Sequence, residues 1–103
     1  MINKIEKKFY IFIENMYGKR DTEVVYGYIY KELNIGIHKI NGKYKVTDLA
    51  SGLCIIKNFN SEQEALKCYK ERWQRKVDEQ RQTDKYQKIV KEFNKLNSFF
   101  KKR

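Results

Sequence analysis

The chain has 103 residues, with 23 Lys or Arg against 13 Asp or Glu, for a net charge of +10. That length gives one domain with a modest core that needs no disulfide or metal staple, and no apolar run is long enough for a transmembrane helix or a signal peptide. The excess charge is +1 over residues 1–33, +3 over 34–60 and +6 over 61–103, a balance that favours contact with nucleic acid, an acidic protein or an anionic membrane.

Residues 1–8 are polar and lysine-rich and read as a frayed start. Phe9-Tyr10-Ile11-Phe12-Ile13 is a dense aromatic and β-branched run that favours a strand. Tyr17-Gly18-Lys19-Arg20-Asp21 reads as a turn and Val24 to Tyr30 as a second strand. These two strands would enlarge a central sheet and cover its face carrying Ile40 and Ile55. Residues 35–40 form a short apolar run that stops at Asn41-Gly42. Both residues of that pair tolerate positive φ, and the turn they make matches strand twist. Lys43 to Thr47 alternates polar and apolar, the period of a strand with one buried face. Ser51-Gly52 supplies a further turn, and Leu53-Cys54-Ile55-Ile56 a third strand of the unit. Ser61-Glu62-Gln63-Glu64 is a capping box. It opens a helix to about Gln82 with Ala65, Leu66, Cys68, Tyr69, Trp73 and Val77 on one apolar arc.

Gly36-Ile37, Gly42-Lys43-Tyr44 and the run from Phe59 to Tyr69 resemble the plant ethylene-response type of DNA-binding domain, whose relatives include the amino-terminal domain of tyrosine integrases. The resemblance covers residues 36–69. It implies three antiparallel strands laid in a DNA major groove with a helix on their back. The family's base-reading positions fall on Ile35, His38, Ile40, Leu53 and Ile55. Four of these are aliphatic and cannot hydrogen-bond a base edge. The inward positions would be Tyr44, Val46, Cys54 and Ile56. An aliphatic outer face calls for a cover, from the amino-terminal strands, a second subunit or a protein partner, the partner seated on Ile40, Leu53, Ile55 and Trp73.

Gln80 to Lys85 has no apolar residue, and Thr83 is placed to cap a second helix. In it Tyr86, Ile89, Val90, Phe93, Leu96 and Phe100 fall within roughly a third of the circumference, with Lys88, Lys91, Lys95 and Lys102 opposite as a basic stripe. Those ammonium groups could track a phosphate backbone and release its counterions. Lys39, Lys43, Lys45 and Lys57 form a second basic group around the hairpin, with Tyr44 between them assigned to the core. Trp73, the single tryptophan, reads as a core or interface anchor.

His38 is the single histidine, and no second histidine or motif-borne nucleophile accompanies it. It reads as a partly exposed strand residue, and neither a catalytic triad, a metal site nor a phosphate-cradling glycine loop can be assembled. Cys54 and Cys68 have neither metal nor redox spacing and read as reduced packing residues of a cytoplasmic protein. The lysine, isoleucine and asparagine bias, with two alanines and no proline, fits a low-GC genome such as that of a phage or mobile element.

The expectation is therefore a single α+β domain: an antiparallel sheet of three to five strands, a capped helix packed on it and a basic amphipathic carboxy-terminal helix. Residues 1–33 would supply the first strands, 34–82 the three-stranded sheet and helix, and 83–103 the basic helix. The expected role is a non-enzymatic DNA-binding accessory protein without cofactor, held to phosphates by the lysines. The alternative is an anti-CRISPR type inhibitor of a host nucleoprotein. A homodimer through the last helix is a third possibility, and a membrane is not expected as partner.

Overall fold

The computed structural model describes the backbone of residues 4–14 and 16–101 and the side chains of 4–14 and 16–98. It is an α+β fold. Five antiparallel strands follow one another in chain order, β1 (Lys4–Glu14), β2 (Arg20–Tyr30), β3 (Ile35–Ile40), β4 (Lys43–Asp48) and β5 (Cys54–Phe59). Then come α1 (Glu62–Cys68), a π-helical turn (Tyr69–Trp73), α2 (Gln74–Gln80) and α3 (Asp84–Lys101).

The strands form where period-two patterning and turn residues require them. Asn41 and Gly42 both take positive φ, 50° and 79°, closing the tight β3–β4 hairpin. Of the expected frayed start 1–8, residues 1–3 lie outside the described residues, and residues 4–8 are not frayed: Lys4 to Lys8 pair with Tyr30 to Tyr26. Lys4 also lies over the Tyr28 ring and pairs with Glu62, which ties the start of β1 to α1.

One face of the sheet carries the main core. Tyr30, Ile35, Ile37 and Val46 pack under Ala65 and Tyr69, with Tyr28, Tyr44, Ile55, Ile56, Trp73 and Val77 around them. Ile35 therefore belongs to the helix side, not to an outer reading face. It shares the period-two row of Ile37 and is wholly buried.

The opposite face is covered by the chain's own first hairpin. β2 pairs with β3 only from Gly27 to Tyr30. At Gly27 the strands meet so closely that a Cβ would lie 2.2 Å from the Ile37 carbonyl oxygen. Beyond that point the hairpin swings across the sheet. Phe9 packs over Gly36 and edge-on against His38, and the Phe12 amide donates to the Gly52 carbonyl at 2.8 Å. The cover reaches His38, Gly36 and Leu49, while Ile40 at its margin stays half exposed. His38 is thus buried, at 3% exposure, and not partly exposed as its strand position alone suggests.

Two register shifts set β5 against β4, at Tyr44/Val46 and at Val46/Thr47. Each gives β5 one more residue than its partner, the mark of a β-bulge. At the first, Asn58 takes φ 73°. At the second, Ile55 is the added residue, which lets both Ile55 and Ile56 reach the helix-side core. The same shift places Cys54 opposite Thr47 and leaves it exposed, correcting its assignment to the buried face.

The Ser61 hydroxyl accepts the Glu64 amide at the start of α1. The backbone then stays in the right-handed helical region through Gln74. Ala65, Tyr69, Trp73 and Val77 are spaced by four. On a straight α-helix turning about 100° per residue, such a row drifts by about 40° a step. The wider π-turn at Tyr69–Trp73 takes up part of that drift and keeps the row over the sheet. The helix ends at residues 81–83, and the Thr83 hydroxyl accepts the Tyr86 amide to start α3. Residues 62–101 are therefore two helical segments set at a corner, not one rod.

Candidate functional site

The corner between α2 and α3 is fixed by one buried carboxylate. Asp48 ends β4, and its Oδ1 accepts from Arg81 Nη2 at 2.7 Å and Nε at 3.2 Å. Its Oδ2 accepts from the Ser51 hydroxyl and the Tyr86 phenol, both at 2.6 Å. Arg81 also donates to the Leu33 and Asn34 carbonyls, and to Asp78 at 3.2 Å. Burial pushes the Tyr86 phenol well above its ordinary range, and its bond to Asp48 pushes the same way. This cluster joins the β2–β3 turn, the β4–β5 loop and both helices. Its one signal in the sequence is that Asp48 is the sole acid between residues 34 and 60.

From this anchor α3 passes beneath the β4–β5 loop. Phe93 lies against Gly52, where a Cβ would meet its ring at 2.3 Å, and stacks on Phe12 at 5.7 Å. Tyr86, Ile89, Val90, Phe93 and Leu96 all face inward or half inward. The Phe100 side chain and Lys102 lie outside the described residues. Lys88, Lys91 and Lys95 are exposed on the opposite side of α3, within about 60° of one another at helical spacing. Among the described residues none of the three has an ion-pair partner. Glu92, the carboxylate nearest them in sequence, is held by Arg20 of β2 at 3.2 Å.

The hairpin lysines are differently placed. Lys39 lies over the Tyr44 ring, Lys43 bonds the Asn60 side-chain oxygen, and Lys45 is half-buried opposite His38 on the pairing strand. Lys57 is exposed on β5. The tip of β3–β4 is the far end of β4 from Asp48, about 17 Å along an extended strand. The two lysine groups stand on different elements, the hairpin with β5 and α3.

Three of the four aliphatic and aromatic interface candidates do converge. Leu53, Ile55 and Trp73 line one cleft of about 420 Å³ between β5, α2 and α3, joined by Val77, Tyr86 and Ile89. Ile40 lies at the hairpin tip, away from it. Lys76 and Lys85 stand at the cleft's rim, and Lys76 sits 4.9 Å over the Trp73 ring. Tyr86 and the two rim lysines were not singled out by sequence as cleft residues, because only the α2–α3 corner brings them to β5.

Among the described residues no group of three or more His, Cys, Asp or Glu side chains could hold a metal ion, and no helix is long and apolar enough to cross a membrane. No family model, curated protein or solved structure matches this chain.

Proposed function

We propose that the protein is a non-catalytic DNA-binding accessory protein that contacts phosphates through the exposed row Lys88, Lys91 and Lys95. The observation that carries this reading is the row itself: three cations on one face of α3, with the nearby Glu92 drawn away by Arg20. The row spans about 10 Å of helix axis at 1.5 Å per residue, the length of about three base pairs at 3.4 Å each. The net charge of +10 adds long-range attraction to any polyanion.

The manner of binding differs from that of the ethylene-response type. There the outer sheet face enters the groove. Here that face is occupied at His38 and Gly36 by the β1–β2 hairpin, so a helix-borne phosphate contact is the more accessible route. Contacts to phosphate carry no sequence information, so binding is expected to be almost independent of sequence.

The test is a labelled duplex titrated at low salt with the native chain and with the K88Q/K91Q/K95Q variant. The native chain should shift duplexes of unrelated sequence equally, and the variant should bind at least about tenfold more weakly at the same salt. No shift by the native chain, or an unchanged affinity in the variant, would remove the reading.

A further inference from the structure

The cleft between β5, α2 and α3 is a different kind of surface from the lysine row. We infer that it is a docking site for an acidic peptide segment of a partner protein, a bulky apolar side chain entering the cleft and flanking carboxylates meeting Lys76 and Lys85. The inference does not depend on DNA binding, and a chain that fails to shift a duplex can still pass its test.

Chemistry of the walls selects the occupant. Leu53, Ile55, Val77 and Ile89 present aliphatic carbon, and Trp73 and Tyr86 add ring surface. The polar atoms at the base are already committed. Asp48 is bonded by Arg81, Ser51 and Tyr86, so its charge and the Ser51 and Tyr86 hydroxyls are spent within the fold. A nucleobase inserted there would bury edge donors and acceptors without partners, a costly exchange. An aliphatic or phenyl side chain incurs no such penalty. The exposed side chains of the lining are Leu53, Cys54, Lys76, Gln80 and Lys85, of which only the two lysines carry a charge, which leaves the mouth cationic. Apolar centre and charged rim is the arrangement in which a buried anchor supplies affinity and the surrounding charges supply orientation.

The backbone also departs from regularity on two sides of this cleft. The π-turn ends at Trp73, with φ −119° and ψ −25°, and the second β-bulge falls at Ile55. Both devices re-aim side chains, and both tend to occur beside functional surfaces. Leu53 is left 38% exposed in this lining.

Trp73 is the sole tryptophan, so its emission reports occupancy directly. The probes are short tryptophan-free peptides in which Asp and Glu flank one central Leu, Ile, Met or Phe. Matched peptides carry a central Ala, or Lys in place of the acids, and oligothymidylate serves as the rival ligand. Saturable change in Trp73 emission is expected with the acidic apolar-centred peptides, roughly tenfold or more tighter than with the Ala-centred one. The exposed substitutions K76E and K85E should each weaken it by about tenfold, and L53E should abolish it, with unchanged circular dichroism in all three. The inference is overturned if no acidic peptide perturbs Trp73 at millimolar concentration. It is equally overturned if Ala-centred or Lys-flanked peptides bind as well, or if oligothymidylate alone gives the saturable change.

Discussion

His38 sits where a charge is least welcome. It is sealed on β3 under the folded-over β1, with its ring centroid 5.8 Å from that of Phe9 in an edge-on contact and Lys45 opposite on β4. Neither ring nitrogen has a hydrogen-bond partner among the described residues. Burial first, and the Lys45 charge second, push its pKa below the ordinary value of 6.5. The unfolded chain then binds the proton more readily than the folded one, so stability rises with pH between the two values. The contribution is complete above about pH 6.5 and is lost as pH falls through that value towards the depressed one. Thermal unfolding followed from pH 7.5 down to pH 5.5 should therefore show a falling Tm. Because the chain has one histidine, H38L should flatten the profile in that window. At pH 7.5 it should be about as stable as the native chain or more so, since it deletes two unpartnered buried polar atoms. A profile as steep in H38L as in the native chain would assign the effect elsewhere.

Elements in this fold are joined by polar bonds as well as by packing, and among the described residues the Asp48 cluster is the most buried of those that reach α2 and α3. Its side chain is 4% exposed and that of Arg81 is 19% exposed, so solvent can do little for either partner once the other is gone. D48A should cost about 3–5 kcal/mol, the range for breaking a buried pair, where a surface pair would cost below about 1 kcal/mol. Urea denaturation of D48A, R81A and the double variant should give a large coupling energy, with the double variant close to the worse single one. Additive losses would mean that the Asp48–Arg81 pair is not what holds α2 to the sheet. The Asn41-Gly42 turn, the Ser61 and Thr83 caps and the apolar arc of α3 were legible because each depends on residues within a few positions of one another. The bend at Gly27, the bulge at Ile55 and the partnership of Asp48 with Arg81 were not. They arise from approaches between strands and helices far apart in sequence, such as the 33 positions separating Arg81 from Asp48. The candidate site inherited that division: the α3 lysines were readable from period alone, whereas the cleft needed the corner that Asp48 makes.

At the scale of the whole molecule, the proposed DNA binding turns on how many of the lysines one duplex can reach. The body measures 35 × 30 × 26 Å. The β3–β4 tip lies at one end of β4, and α3 is anchored at the other through Tyr86. A straight duplex lying along Lys88, Lys91 and Lys95 is expected not to recruit Lys39 and Lys43, which are already engaged by Tyr44 and Asn60. Each phosphate neutralised on B-DNA contributes about −0.9 to the slope of log K against log salt. Three contacts give a slope of about −3, and participation of the tip and β5 lysines as well would give about −6. We expect the shallower value, with K39Q/K43Q changing the slope by less than about 1 and K88Q/K91Q/K95Q bringing it close to zero. Filter binding or fluorescence anisotropy across a salt series measures it. A native slope near −6 that both variants reduce would mean that the duplex bends around the body or that two molecules share it, and the single-row geometry would then be wrong.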